Sequence, residues 1–318
     1  MLEVKNLNIK FKRDKGEPLH AIRNISFSLN QSEILGVVGE SGCGKSLTNL
    51  ALMGLLPPNA IVEADSIKID GHEVLNFKEK DWNKVRGKTI SMIFQDPMSA
   101  LNPCFTVEDQ MIESIMFHDG LTKKQAISRA LDLLNDVGIP APEQRLKSYV
   151  HQLSGGMAQR IMIAMSCICS PKILIADEPT TALDVTIQKQ ILKLIVDLKD
   201  KYKMGVILVT HDMGVVSEFS DRTQVMYAGE IVETGTTGQI LSTPKHPYTS
   251  GLIQSIPGKS KTQHKGKLPS IKGIVPSLID RPKGCQFAPR CDFASEVCNE
   301  SPQFNGQFQC HSPIGGIQ

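Results

Sequence analysis

Two hydrophobic rhythms alternate along this chain. Leu2-Glu3-Val4, Leu7-Asn8-Ile9-Lys10-Phe11 and Ile25-Ser26-Phe27-Ser28-Leu29 alternate with period two, which predicts half-buried strands near the N-terminus. Ile34-Leu35-Gly36-Val37-Val38 is a short unbroken apolar run that predicts a buried strand, Ile173 to Glu178 predicts an apolar strand ending in two acids, and Ile207 to His211 another ending in histidine. Ser66–Gly71 reads as a strand with a turn and Ile90–Gln95 as a further strand, and the strand–helix alternation that resumes from Ser154 closes around Val225–Glu233. Helical spacing takes over from Ser46 to Leu56, where Pro57-Pro58 is expected to stop it. Thr106 opens another helix, and Thr122 to Val137 gathers Ala126, Ile127, Ala130, Leu131, Leu133 and Leu134 on or near one face. Strands alternating with helices predict an α/β fold around a mainly parallel sheet, with ligands at the C-terminal ends of its strands. The opening strands predict a smaller antiparallel sheet, and residues from Asp96 to about Gln152 a helical insertion. Gly258 to Lys267 holds four lysines and little apolar content, as a linker does.

Composition narrows the picture without redirecting it. The 318 residues are 41% hydrophobic and 21% charged with a formal charge of +2, an ordinary soluble profile that gives no mandate for nucleic-acid binding. Met1-Leu2-Glu3-Val4-Lys5 has no apolar export core, and the longest apolar tract, Ile161 to Ala176, is broken by Ser166, Ser170, Pro171 and Lys172. Any membrane work is therefore expected to need separate membrane partners. Of the eight cysteines, Cys43, Cys104, Cys167 and Cys169 are expected as small buried or half-buried thiols, and four cluster near the C-terminus. With no export signal, disulfides are not the expected use of that cluster.

Candidate chemistry begins at Gly39-Glu40-Ser41-Gly42-Cys43-Gly44-Lys45-Ser46, a G-x-x-x-x-G-K-[ST] loop after a buried strand. Its glycines let backbone N–H groups surround phosphate oxygens, Lys45 adds positive charge near the outer phosphates, and the Ser46 hydroxyl suits Mg²⁺. Leu153-Ser154-Gly155-Gly156-Met157 makes a second glycine-rich helix start, with Ser154 as N-cap. One nucleotide needs only one such start from one molecule. Gln95 ends an apolar run, and Asp177-Glu178 ends another. Adjacent strand residues point to opposite sides, so Asp177 is expected toward Mg²⁺, with Ser46 and Gln95, and Glu178 as general base or water orienter. His211 follows the strand at Val206 to Val209.

This ordered set resembles the ATP-binding subunits of ABC (ATP-binding cassette) transporters over nearly the whole chain. The resemblance implies a P-loop ATPase with a RecA-like core, an antiparallel β subdomain and a helical subdomain at about 96–153, within a cassette spanning 1–255. It makes Gln95 the Q-loop glutamine and His211 the switch histidine at the γ-phosphate. Thr181-Ala182-Leu183-Asp184 becomes the D-loop. Phe11 is the candidate for stacking on adenine, with an ordinary edge phenylalanine as the other reading. In the family, Ser154, Gly155 and Gly156 reach ATP bound to a partner's phosphate loop, giving a head-to-tail sandwich that hydrolysis opens. Asp96 to Asp109 resembles the part that docks a permease.

Ser242-Thr243-Pro244-Lys245-His246-Pro247-Tyr248-Thr249 and Gly284-Cys285-Gln286-Phe287-Ala288-Pro289-Arg290-Cys291-Asp292 resemble the tail of dipeptide, oligopeptide and nickel importer ATPases, expected here over 256–318. Spacings of five, six and eleven residues between Cys285, Cys291, Cys298 and Cys310 say only "four-thiolate site". The resemblance implies a [4Fe–4S] cluster, with zinc or free thiols as the other readings. The implied partners are two permease subunits, a second ATPase of the same or a related kind and, indirectly, a solute-binding protein, at the cytoplasmic face of the membrane. Chromosome ATPases, excision-repair ATPases and ribosome-associated cassette proteins share the nucleotide motifs. The first separate loop and signature by long coiled coils and the others carry two cassettes, whereas about 110 residues intervene here in one cassette.

Overall fold

The computed structural model describes residues 1–181, 183–256 and 271–315, so the expected linker at Gly258–Lys267 lies outside the described residues. The chain divides into two compact units, the first formed by Met1–Leu2, Leu29–Glu33 and Lys68–Ile207, the second by Glu3–Ser28, Ile34–Ile67 and Leu208–Gln318.

In the first unit, strands Ile90–Ile93 and Ile173–Asp177 pair in parallel, Ile90 opposite Ile173 and Ile93 opposite Ala176. Both are buried along the segment that pairs, as a sheet covered on both faces requires. The helical stretch that follows Asp96 is punctuated by side-chain caps. Thr106 accepts from Asp109 N while the Asp109 carboxylate takes Thr106 N, so helix Val107–Asp119 starts with a capping box. Thr122 and Gln125 repeat the device for Lys123–Asp136, which buries Ala126, Ala130, Leu133 and Leu134 while Ile127 and Leu131 lie at its half-buried margin. These two helices pack together and against Gly155–Cys167, the helix that Ser154 caps.

In the second unit, the strand Ile34–Val38 runs parallel to Arg222–Tyr227, Leu35 opposite Arg222 and Val38 opposite Val225. Arg222–Tyr227 turns back into Glu230–Thr236 through Ala228 and Gly229, at φ 46° and 83°. Two consecutive positive φ values make the tight hairpin connection that matches strand twist. Apart from its first residue, strand Leu2–Phe11 lies in this unit, antiparallel to Ala60–Glu63. A core of Val38, Val216, Val225, Tyr227, Tyr248 and Phe287 joins the strand before the phosphate loop to the C-terminal segment.

Four expected boundaries move, each for a local reason. Leu2–Val4 and Leu7–Phe11 form one strand, with Asn6 at φ 54° between them. Leu2 and Val4 are buried before it and Leu7 and Ile9 after it, so the alternation changes phase at Asn6 while pairing continues. The helix expected to Leu56 ends at Leu52. Gly54 (φ 60°) bonds to Ala51 O and Leu55 N to Leu50 O, a Schellman closure that acts before the prolines can. The strand expected to Gln95 ends at Ile93, and Asp96 caps the short helix Pro97–Ala100. The strand expected to Glu178 ends at Asp177, because Glu178 turns to φ 46°.

Candidate functional site

The phosphate-loop motif is shaped by what surrounds its glycines. A methyl group at Gly39 would lie 2.2 Å from Met226 O and 2.8 Å from Cys43 Sγ, so no side chain fits there. Gly44 stands at φ 105° with no room beside Ile22 Cδ1, whereas at Gly42, φ 80°, an added Cβ would meet no described residue within 4 Å apart from its chain neighbours. The loop is therefore pressed against the strands at its ends and open at its crest, where phosphate oxygens can enter. Lys45 is buried, and its Nζ donates to Gly39 O at 2.7 Å and Glu40 O at 3.1 Å, folding the charge back over the loop. Cys43 N donates to Glu40 O at 3.3 Å and Cys43 O accepts from Gly229 N at 2.8 Å. The Cys43 thiol faces Lys45 Nζ, yet burial pushes its pKa up and keeps it neutral. Ser46 lies in the first turn of helix Lys45–Leu52.

The same unit carries two more of the expected residues. His211 is exposed after strand Gly205–Thr210, and Asp212 turns the chain by accepting from Gly214 N at 2.7 Å. Phe11 is half-buried at the end of its strand, opposite Ala60.

In the first unit, the expected acid and glutamine are brought together. Gln95 Nε2 donates to Glu178 Oε2 at 3.1 Å, and Thr181 Oγ1 donates to the same oxygen at 3.1 Å. Asp177 is buried at the strand end, while Glu178 is half-buried on its left-handed turn. A non-glycine residue in that conformation costs of order 1–3 kcal/mol, a strain typical of functional loops. Gln159 helps to hold the turn: it is buried in the helix after Ser154 and donates to Pro179 O at 2.6 Å.

Ser154 Oγ accepts from Met157 N at 3.4 Å, and among the described residues beyond their own helix turn and chain neighbours none comes within 4 Å of where a Cβ would stand on Gly155 or Gly156. This helix start presents two bare glycines outward, between half-buried Leu153 and Met157. Asp184 caps Val185–Tyr202 by accepting from Ile187 N at 3.0 Å; its D-loop neighbour Ala182 lies outside the described residues.

Among the cysteines, Cys43, Cys167 and Cys169 are buried as expected, but Cys104 is exposed. An Asx turn, with Cys104 N donating to Asn102 Oδ1 at 3.0 Å, holds that residue on a surface loop. Cys285, Cys291, Cys298 and Cys310, some 25 residues of chain, line one cavity with His246 and Phe287. Burial raises the Cys285 and Cys291 thiols and pushes Cys310 up to about 11, each helped by its neighbouring cysteines. Among the described residues, no group of three or more His, Cys, Asp or Glu is arranged to hold a metal ion. The expected four-thiolate site is thus present as one cavity lined by all four cysteines and, among the described residues, not as a formed ligand set. Four thiolates without a cation would repel one another, and burial favours the protonated form.

Sequence reasoning missed Gln159, Tyr248 and Arg290. Tyr248 Oη accepts from Glu40 N at 2.9 Å, and Arg290 forms an ion pair with Glu40 at 2.6 Å. For Tyr248 and Arg290 the sequence signal was their place in the tail motifs, and Gln159 carried none beyond its helix.

An ABC transporter family model matches residues 22–181, and a model for the oligopeptide/dipeptide transporter C-terminal region matches 232–298. The chain is 48% identical over 319 residues to the dipeptide transport ATP-binding protein DppD of Haemophilus influenzae, covering 99% of this chain and 96% of that one. It is 47% identical to DppD of Escherichia coli (99% and 97% covered) and 48% to the oligopeptide transport ATP-binding protein AppD of Bacillus subtilis (94% and 90%). Among solved structures, the dimeric post-hydrolysis state of the ATP-binding cassette MJ0796 bound to ADP and Pi matches 74% of this chain and 99% of its own at 27% identity and TM-score 0.65. No described helix is long and apolar enough to cross a membrane. Phosphate loop, signature-type helix start, cassette fold and tail coincide, and the chain belongs to the ABC transporter family as an ATP-binding subunit, an ATPase.

Proposed function

We propose that this ATPase energises a membrane importer of dipeptides or oligopeptides. The observation that carries the reading is full-length similarity, at 47–48% identity, to proteins named for dipeptide transport. Lys45, the backbone of Gly39–Ser46 and His211 are the proposed contacts of the nucleotide phosphates, and Phe11 that of adenine. Glu178 is the proposed base that takes a proton from the attacking water, with Gln95 and Thr181 fixing its carboxylate. Ser46, Gln95 and Asp177 are the proposed oxygen ligands of Mg²⁺, which when bound neutralises charge on the phosphates. Leu153 to Met157 and Asp184 are proposed to face a second ATPase subunit, identical or related, a reading supported by the open space around Gly155 and Gly156.

The cassette is proposed to span 1–255, with its helical subdomain at about 96–153, and the tail 256–318. Exposed Phe94, Met98 and Phe105 support permease docking at this helical edge, and the chain is proposed to work at the cytoplasmic face beside two permeases served by a solute-binding protein. The four-cysteine cavity is the proposed seat of a [4Fe–4S] cluster held by Cys285, Cys291, Cys298 and Cys310. Anaerobically purified protein should then be brown and contain iron; colourless, zinc-bearing protein would transfer the site to zinc. Transport is tested by ATP-driven uptake of labelled dipeptide into vesicles holding the chain with its permeases and binding protein. Nickel uptake instead would move the chain to that branch of importers, and hydrolysis without any solute uptake would overturn the reading.

A further inference from the structure

Glu40 is the one acidic residue of the phosphate loop, and it stands where incoming phosphates would be repelled. All of its polar groups are engaged. Its N–H donates to Tyr248 Oη at 2.9 Å, and its carbonyl accepts from Lys45 Nζ at 3.1 Å and Cys43 N at 3.3 Å. Its carboxylate receives both arms of the Arg290 guanidinium, Nη1 to Oε2 at 2.6 Å and Nη2 to Oε1 at 3.0 Å. Two of these partners come from the C-terminal segment, Arg290 from 250 residues away.

Both partners are fixed by their own surroundings. Tyr248 is fully buried, its ring 4.7 Å from Tyr227 and 5.4 Å from Phe287, which stand 5.2 Å from each other. The Arg290 side chain is 4% exposed and lies over Tyr227. Its Nε donates to Lys272 O at 2.7 Å, Nη1 also to Tyr227 Oη at 3.3 Å, and Nη2 also to Gly273 O at 3.3 Å. A buried guanidinium is tolerated only when paired, and this planar fork meets a carboxylate in the geometry that lysine cannot reproduce.

We propose that Arg290 and Tyr248 are positioning residues of the nucleotide site: the C-terminal segment clamps Glu40, cancels its charge and sets the phosphate loop in its binding shape before nucleotide arrives. Their effect falls on nucleotide affinity and not on the chemical step, since both act on the phosphate loop through Glu40. The inference rests on the ATP-binding reading of the loop.

The test measures MgATP affinity by calorimetry, and KM and kcat, on the full-length chain. Arg290→Met should weaken binding and raise KM about tenfold, the factor equivalent to 1.4 kcal/mol, with kcat within about twofold. Arg290→Lys should fall between wild type and Met. Adding Glu40→Gln to Arg290→Met should restore affinity to within about threefold of wild type, because no charge remains to cancel. Tyr248→Phe, which removes one neutral acceptor, should cost about threefold. Wild-type affinity in Arg290→Met, or a double variant as weak as that single one, would overturn the clamp. Should Arg290→Met prove unfolded by near-UV circular dichroism, Arg290→Lys and the double variant decide: wild-type KM in the first, or no recovery in the second, sinks the proposal. Lys45→Ala separates the two layers. Lost affinity there beside an unchanged Arg290→Met refutes only the clamp, whereas unchanged affinity in Lys45→Ala refutes the phosphate-loop reading itself.

Discussion

The chain starts two helices from glycine-rich loops, and the two are built on opposite plans. The loop at Gly39–Ser46 is braced along its base: Met226 and Cys43 crowd Gly39, Lys45 bonds back to it, and Tyr248 and Arg290 hold Glu40. The loop at Ser154–Met157 has one serine cap and open space around both glycines. The first is completed by its own chain. The second has a finished backbone and an unfinished surface, which suits a contact that another molecule must supply.

Four outcomes would break or sharpen that contrast. The largest is expected at Glu178, on the turn tied to the signature helix through Gln159. Glu178→Gln should cut hydrolysis about 10²- to 10⁴-fold while MgATP binding persists, measured by phosphate release and calorimetry. Near-normal turnover would remove this residue from the chemistry. Next, Gly39→Ala must push aside Met226 O and Cys43 Sγ, a cost of about 1–3 kcal/mol, and should lower the melting temperature by several degrees in a thermal scan. Unchanged melting would mean that the bracing at Gly39 is slack.

The third concerns acid. His246 caps the helix that carries Tyr248, accepting from Tyr248 N through Nδ1 at 3.1 Å, and burial pushes its pKa down to about 3. The unfolded chain, at the ordinary histidine value, binds a proton that the folded chain refuses. Stability present above about pH 6.5 is therefore lost as pH falls toward 3, by about 2 kcal/mol between pH 7 and 5. The buried Glu233 carboxyl beside it is shifted upward and acts in the opposite sense over its own range. Denaturant titrations should show a flatter pH profile for His246→Asn, which keeps a capping side chain; an identical slope would exonerate His246. The smallest stability effect is expected at the bare loop. Gly155→Ala meets no neighbour among the described residues and should shift melting by less than about 2 °C, while lowering the ATPase rate of the assembled transporter. A large loss of stability there would erase the distinction between the two loops.

Much of this was legible locally. Capping boxes at Thr106 and Thr122 join residues three apart, and the Ser154 cap likewise spans three positions, so a short window contains the whole device. Where local reading slipped, backbone conformation was the cause. Asn6 changes the phase of a strand that remains continuous, Gly54 closes a helix before its prolines, and Glu178 leaves its strand on a left-handed turn. Side-chain identity only biases such φ values, and packing selects them.

The residue order alone determined the phosphate loop, the glycine pair, the acids at the end of a buried strand and the α/β alternation, because each depends on neighbours within a few positions. Tertiary structure decided that Arg290 and Tyr248 grip Glu40, that Gln159 holds Pro179 O, and that four cysteines share one cavity. Those partners are 250, 208 and 20 positions apart in the first three cases. No periodicity links residues so distant; only burying a common core brings them within hydrogen-bond reach.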